Sequence, residues 1–256
     1  MRHLSRILVL ATILIAMGCF WLTRRGLQAA EKQISVYIAG DSTACDYPPD
    51  RAPRTGWGQE LGQFFTDRVA VRNEAISGRS SMSFIAEGAL DGILGRIKPN
   101  DYLFIQFGHN DAKQADPSRY TEPFTSYQAN LLKYIQGARD KGAIPVLLSP
   151  ISRFSFDAGG KVRPTHGDYP RAMRQLAERE KVPFIDMTEK TRRLMEELGP
   201  EKSGLFFMNL KPGESPNYPD GSEDGTHLRL EGATAFARLV IEGIREAELP
   251  LAEFIK

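Results

Sequence analysis

Short apolar runs alternate with amphipathic stretches along most of the chain, which is typical of alternating strands and helices. Five runs predict β-strands, at residues 34–39, 69–71, 102–107, 144–148 and 182–185. Strands joined through helices pair in parallel by right-handed crossovers. The pattern therefore predicts an α/β fold in which a five-stranded parallel sheet is the middle layer of a three-layer α/β/α sandwich.

Apolar residues at helical spacing predict four helices between and after these strands. Their apolar faces are Trp57, Leu61, Phe64 and Phe65; Phe124, Tyr127, Leu131, Tyr134, Ile135 and Ala138; Met173, Leu176 and Ala177; and Ala233, Phe236, Leu239, Val240 and Ile244. Gly142 closes the second of them. The sequence contains no repeat and no low-complexity tract, so we expect one domain over residues 31–256.

The N-terminal stretch differs from the rest because basic residues precede an apolar run at residues 7–22. This arrangement predicts export, with residues 1–30 acting as a signal peptide or as an N-terminal membrane anchor. Cleavage, retention and lipidation at Cys19 all stay open. We expect a periplasmic or extracellular protein, and loss of Cys19 would leave Cys45 without a partner for a disulfide.

Charge excludes one class of function. The chain has 33 basic and 32 acidic residues, a formal net charge of +1, and no long run of either sign. It therefore lacks the basic footprint of a nucleic-acid-binding protein. Its two cysteines also make no zinc site by themselves.

Polar groups follow the first three predicted strands: Asp41-Ser42, Ser77-Gly78-Arg79 and Gly108-His109-Asn110-Asp111. Because sites in parallel sheets lie beyond the carboxyl ends of the strands, these groups should converge on one edge. A fourth group, Asp224-Gly225-Thr226-His227, precedes the last helix after a loop rich in glycine and proline. Its spacing can place the Asp224 and His227 side chains on the same turn.

A serine hydroxyl becomes a nucleophile when an imidazole takes its proton, and a carboxylate holds that imidazole in the right tautomer. Ser42, His227 and Asp224 supply these three groups, with Asp220 and Glu223 as alternative orienting carboxylates. The serine lacks the Gly-x-Ser-x-Gly elbow of another hydrolase fold.

An oxyanion formed at an ester carbonyl needs hydrogen-bond donors. The backbone N–H groups of Ser42 and Gly78 and the Asn110 amide are the candidates. We expect Asp41 to have a structural role, accepting backbone hydrogen bonds.

Together, Gly40-Asp41-Ser42, Gly78, Gly108-x-Asn110-Asp111 and Asp224-x-x-His227 resemble the four blocks of the GDSL/SGNH hydrolases in order and spacing. Within that superfamily, residues 39–44, 56–59, 77–80 and 106–111 are similar to rhamnogalacturonan acetylesterases. The resemblance implies a flavodoxin-like domain without metal or organic cofactor. It also implies removal of O-acetyl groups from an acetylated plant cell-wall polysaccharide or oligosaccharide of the pectin type. Gly225 departs from the pattern, which has a bulkier polar residue there.

Substrate contacts are expected from Arg79 and His166, the latter in a loop over residues 152–169 that we expect to line a sugar groove. Arg54 and Arg153 are further candidates for pairing with uronate carboxylates. We expect Trp57 to be a core residue. Two other functions stay open: an SGNH esterase acting on lipids, such as a lipase or lysophospholipase, and a glycan-binding module without catalytic activity.

Overall fold

The protein is described here by a computed structural model of residues 33–256. The predicted export segment at residues 1–30, with Cys19, lies outside the described residues. Residues 34–256 form one compact unit. No helix within this part of the chain is both long and apolar enough to cross a membrane.

The central sheet has five strands in the order β2-β1-β3-β4-β5, and every neighbouring pair is parallel. The strands are β1 (Ile34–Gly40), β2 (Val69–Asn73), β3 (Tyr102–Gln106), β4 (Ile144–Leu148) and β5 (Phe184–Ile185). All five predicted strands are confirmed, with β5 shorter than expected. β1 is an interior strand that lies between β2 and β3. The residues that follow β1 therefore lie between the carboxyl ends of these two neighbours.

Seven α-helices occur in the described residues: α1 (Trp57–Leu61), α2 (Ser81–Ala86), α3 (Ala89–Leu94), α4 (Gln128–Asp140), α5 (Tyr169–Glu180), α6 (Met187–Gly204) and α7 (Leu230–Glu246). The four predicted helices correspond to α1, α4, α5 and α7. Sequence analysis missed α2 and α3, which have six residues each, whereas the apolar face of α1 continues into a 3-10 turn at Gly62–Phe64. It also missed α6, whose pattern is interrupted where Gly199 takes a φ of 74° before Pro200.

Alternate residues of the strands enter two different cores, because successive side chains of a strand point to opposite faces. Val36 and Ile38 pack with Trp57 and with helices α1 and α7 on one face. Tyr37 and Ala39 pack on the other face, against helices α2 to α5. The two cores confirm the three-layer α/β/α sandwich.

A two-stranded antiparallel hairpin, which sequence analysis missed, stands beside the main sheet. It pairs β6 (Phe207–Leu210) with β7 (Ser222–Leu228). Its register is irregular, since Phe207 lies opposite Leu228 whereas Met208 lies opposite Asp224. Residues 225–227 therefore form a bulge, and the predicted turn carrying Asp224 and His227 lies within a bulged strand.

The fold makes a testable prediction at Trp57, which is fully buried and donates from Nε1 to Gln106 Oε1 at 2.7 Å. Replacing Trp57 by Phe removes this donor and part of the buried ring. We expect the free energy of unfolding to fall by about 1–3 kcal/mol. Urea denaturation of both proteins measures this loss, and an unchanged midpoint would contradict the core role of Trp57.

Candidate active site

Ser42 lies in a tight turn directly after β1. The Asp41 carbonyl oxygen accepts hydrogen bonds from the backbone N–H groups of Ala44 and Cys45, each at 3.1 Å. The Asp41 carboxylate accepts two more from Thr43, from its backbone N–H and its hydroxyl, both at 2.9 Å. These bonds fix the backbone on both sides of Ser42.

The same carboxylate is fully buried, and burial raises the pKa of Asp41. Its second oxygen, Oδ2, has no hydrogen-bond partner among the described residues. Asp41 thus shapes the turn through backbone contacts, as expected from the sequence. Tyr47 adds a further restraint, since its hydroxyl donates to the Ser42 carbonyl oxygen at 2.7 Å.

Hydrogen-bonding distances link the three predicted catalytic side chains in a chain. Ser42 Oγ lies 2.9 Å from His227 Nε2, and His227 Nδ1 lies 2.6 Å from Asp224 Oδ2. Asp224 Oδ1 accepts from the backbone N–H groups of Thr226 and His227 at 2.9 and 3.0 Å. The Asp224 carboxylate therefore holds both the bulge and the imidazole that the bulge carries. Of the three candidate carboxylates, it is Asp224 that contacts His227, while Glu223 pairs with Asn209 in the hairpin.

The charge of Asp224 is stabilised in place. Burial opposes its ionisation, but the hydrogen bonds from His227 and Thr226 outweigh this effect and lower the pKa of the carboxyl. Arg54 adds an ion pair, with its Nη2 at 2.9 Å from Asp224 Oδ2. An ionised Asp224 requires a proton on His227 Nδ1, which leaves Nε2 free to accept the proton of Ser42.

Gly225 allows the hairpin to approach the loop after β4. Phe154 N donates to the Gly225 carbonyl oxygen at 2.7 Å, and a Cβ at position 225 would lie 2.8 Å from the Phe154 carbonyl oxygen. A side chain would therefore push the bulge away from this loop. This close approach favours glycine at position 225.

The three predicted oxyanion donors lie around one cavity with Ser42 and His227. The cavity has a volume of about 320 Å³ and is also lined by Gly78 and Asn110. Within residues 33–256, the backbone N–H groups of Ser42 and Gly78 have no hydrogen-bond partner. Asn110 Nδ2 donates one hydrogen to the Arg79 carbonyl oxygen at 2.9 Å, which leaves its second hydrogen available.

Asp111 joins the loops that carry these donors. Its carboxylate accepts from the backbone N–H of Ser81 at 3.1 Å and from the Ser81 and Thr121 hydroxyls at 2.5 and 2.9 Å. Ser81 begins α2, immediately after the Gly78 loop. Burial raises the pKa of Asp111 to about 6 despite these bonds. Asp111 thus ties the Asn110 loop to the Gly78 loop.

The two predicted substrate contacts have different outcomes. Arg79 points to a neighbouring cavity of about 380 Å³, which also borders Gly78, and its side chain pairs with Glu87 at 2.8 Å. His166 requires a correction, because it does not line the catalytic cavity and is only 3% exposed. It lies behind His109, with His166 Nε2 at 3.1 Å from His109 Nδ1.

Sequence analysis missed Lys113, which lines the catalytic cavity. Its position two residues after Asp111, on the same loop, was the available signal. Cys45 is a buried free cysteine whose thiol pKa is raised to about 11 by burial, so it is unreactive at neutral pH. Among residues 33–256, no group of three histidine, cysteine, aspartate or glutamate side chains is placed to hold a metal ion. That the reaction needs no metal or cofactor stays a prediction.

Comparison with known proteins agrees with this geometry. Residues 38–235 match the family described as GDSL-like Lipase/Acylhydrolase. The chain belongs to this family. The resemblance to GDSL/SGNH hydrolases is thereby confirmed, as is the prediction that the protein is a carboxylic ester hydrolase.

Comparison with individual proteins shows which enzymes this chain resembles. The chain is 47% identical to the rhamnogalacturonan acetylesterase RhgT of Bacillus subtilis over 225 residues, which cover 88% of this chain and 95% of RhgT. It is 44% identical to the probable rhamnogalacturonan acetylesterase YesY of the same organism, over 86% of this chain and 96% of YesY. The crystal structure of YxiM from Bacillus subtilis superposes with a TM-score of 0.74 at 28% identity, over 86% of this chain and 58% of that one.

The contact at Gly225 leads to a prediction for the GDSL-like enzyme. Gly225→Ala should displace the bulge that carries His227, and a displacement of the order of 1 Å can lower kcat by about a hundredfold. Gly92→Ala is the matched control, because the added Cβ at that helical position has no atom within 4 Å apart from its chain neighbours and its own helix backbone. Turnover of 4-nitrophenyl acetate measures the effect, and equal kcat values for the two variants would contradict it.

Proposed function

We propose that this protein is a serine acetylesterase that removes O-acetyl groups from rhamnogalacturonan or a related pectin-type polysaccharide or oligosaccharide. The observation that carries the mechanism is the hydrogen-bonded chain from Ser42 through His227 to Asp224 at a cavity that also holds free oxyanion donors. The substrate class is supported by the identity to RhgT over nearly the whole length of both chains.

Acylation begins when His227 Nε2 takes the proton of Ser42 Oγ as the oxygen attacks the acetyl carbonyl carbon. The carbonyl oxygen becomes an oxyanion, which accepts hydrogen bonds from Ser42 N, Gly78 N and Asn110 Nδ2. Asp224 stabilises the imidazolium that forms. The imidazolium then protonates the sugar oxygen, the carbon–oxygen bond to the sugar breaks, and an acetyl group remains on Ser42.

Deacylation repeats the sequence with water. His227 takes a proton from the water as its oxygen attacks the acetyl carbon, and the same three donors hold the second oxyanion. The imidazolium then returns the proton to Ser42 Oγ, and acetate leaves. One set of donors therefore serves both steps.

The walls of the cavity favour a carbohydrate over a long acyl chain. They include Arg54, Lys113 and Arg153 together with polar groups such as Ser77 and Thr226. Hydroxyl and carboxylate groups of a sugar find hydrogen-bond partners there, whereas a lipid tail requires an apolar channel. A glycan-binding module without activity would have no need for the aligned serine, imidazole and carboxylate.

The neighbouring cavity extends the space available to a polymer. It shares Gly78 with the catalytic cavity, and Arg79, Ser83 and Arg119 line it. We propose that sugar residues next to the acetylated one lie in this second cavity. The export predicted from residues 1–30 belongs to the same proposal, because a cell-wall polymer is met outside the cytoplasm, whether the protein is free or tethered to the membrane.

The experiment is to measure acetate released from acetylated rhamnogalacturonan, acetylated homogalacturonan and acetylated xylan. We expect selective release from rhamnogalacturonan, and a loss of at least about a thousandfold in Ser42→Ala because covalent catalysis is abolished. Circular dichroism and urea denaturation establish that the variant is folded. Acetate release by folded Ser42→Ala at the wild-type rate would refute the mechanism, and equal rates on all three polymers would refute the substrate class.

A further inference from the structure

Two cationic side chains of the catalytic cavity have no carboxylate partner. Lys113 and Arg153 both line the cavity, and neither forms an ion pair within residues 33–256. Arg153 is half-buried, and its Nη1 and Nη2 donate to the backbone carbonyl oxygens of Thr165 at 3.1 Å and His109 at 3.4 Å. These carbonyl groups fix the position of the guanidinium without neutralising it.

Other arginines around the site are neutralised by carboxylates. Arg54 pairs with Asp224 at 2.9 Å and Arg79 pairs with Glu87 at 2.8 Å. Arg119 pairs with Asp116. The cavity therefore has three cationic side chains against the single carboxylate of Asp224, which Arg54 already contacts. The excess positive charge belongs to Lys113 and Arg153.

The excess positive charge is electrostatically unfavourable, and a bound anionic ligand would relieve the repulsion. Lys113 is exposed at the cavity mouth, yet desolvation by the surrounding protein lowers its pKa, and the nearby cations Arg119 and Arg153 lower it further. Burial also lowers the pKa of Arg153. Like charges kept close in a partly desolvated cavity repel one another. Asp41 acts on both cations from a distance and Asp116 acts on Lys113, but neither carboxylate forms an ion pair with Lys113 or Arg153.

The layer behind Arg153 adds no charge of either sign. His109 and His166 are buried, and their rings meet edge to face with centroids 4.4 Å apart. Burial and the neighbouring Arg153 lower the pKa of His166 to about 3, and the same effects lower the pKa of His109. Both imidazoles are therefore neutral at working pH. They support the loops that position Arg153 and add no carboxylate to its surroundings.

We propose that Lys113 and Arg153 bind the carboxylate of a uronate residue adjoining the acetylated position, and that they select anionic over neutral acetylated sugars. Arg153 offers a planar fork that matches both carboxylate oxygens, and Lys113 adds a mobile point charge. This inference rests on the proposed acetylesterase function. It assigns to these two residues a task separate from that of the oxyanion donors, which lie at Ser42, Gly78 and Asn110.

The test compares one acetylated rhamnogalacturonan oligosaccharide in two forms, with its carboxyl groups free or methyl-esterified. We expect the wild-type protein to favour the free acid in kcat/KM. Lys113→Gln and Arg153→Gln should each lower kcat/KM on the free acid by about ten- to a hundredfold, the range for one charge-assisted hydrogen bond. In these variants the ratio of kcat/KM on the free acid to kcat/KM on the methyl ester should fall towards one. Both values are normalised to 4-nitrophenyl acetate turnover by the same variant.

Lys141→Gln is the matched control, since it also removes one exposed positive charge. Lys141 precedes β4 and so lies at the opposite edge of the sheet from the cavity. The ratio of kcat/KM on the free acid to kcat/KM on the methyl ester should stay at the wild-type value in Lys141→Gln. Arg153→Lys keeps the charge without the fork, and it provides a measurable ratio if Arg153→Gln does not fold.

Two results would overturn the proposal: a wild-type enzyme with no preference between the forms, or variants that lose equally on both. Calorimetry of Ser42→Ala with digalacturonate separates this failure from failure of the proposed function. Binding that disappears on adding Lys113→Gln supports the carboxylate site even if no form is deacetylated. Absence of binding, together with acetate release from both forms, refutes the site and leaves the acetylesterase standing.

Discussion

The 2.9 Å contact between Ser42 Oγ and His227 Nε2 joins residues from opposite ends of the described chain, and the rest of the site depends on it. Ser42 is held by the sheet and His227 by the separate β6–β7 hairpin, so the fold has to fasten one to the other. The Thr55 N–H donates to the Leu228 carbonyl oxygen at 2.9 Å, directly beside His227. Helix α7 follows the hairpin and packs on the core that contains Trp57 and the strand before Ser42. The distance between Ser42 Oγ and His227 Nε2 is thus fixed by the main core.

Three carboxylates hold the other parts of the site at the carboxyl edge of the sheet, and two of them, Asp41 and Asp111, are fully buried. Asp41 shapes the turn of Ser42, Asp111 joins the two loops of oxyanion donors, and Asp224 orients the imidazole. Burying a carboxylate is unfavourable, as the raised pKa values of Asp41 and Asp111 show. Backbone and hydroxyl donors offset this cost and convert each carboxylate into a local restraint. In the proposed reaction, such pre-organisation would let the donors meet the developing charge without moving.

The sequence predicted the elements whose pattern is local. Buried strands such as β3 are continuous apolar runs, and α4 has a long apolar face, so both were identified. The β6–β7 hairpin was not, because β7 has no apolar side chain before Leu228 and so shows no alternation of apolar and polar residues. The same residues were nevertheless recognised as a family block. The residue types and their spacing identified this segment, although its strand propensity did not.

The sequence did not predict how deeply these side chains are buried or which groups they contact. His166 was expected at the substrate and is buried behind His109, because its position depends on how the loop after β4 folds back. Arg54 was a candidate for pairing with a substrate uronate, and its guanidinium instead contacts Asp224 across 170 positions of sequence. Lys113 belongs to no sequence motif, and its lack of a carboxylate partner is visible only in the structure. Each case turns on tertiary contacts between segments that are far apart in the chain.

The claim that Ser42 carries the acetyl group has one direct measurement. Rapid mixing with 4-nitrophenyl acetate, followed by acid quenching and mass spectrometry of the digested protein, locates any covalent intermediate. The account predicts a mass gain of about 42 Da, one acetyl group, on the peptide containing Ser42, with no gain in Ser42→Ala. Turnover without any adduct on that peptide, or the same adduct at another residue in both proteins, would contradict it.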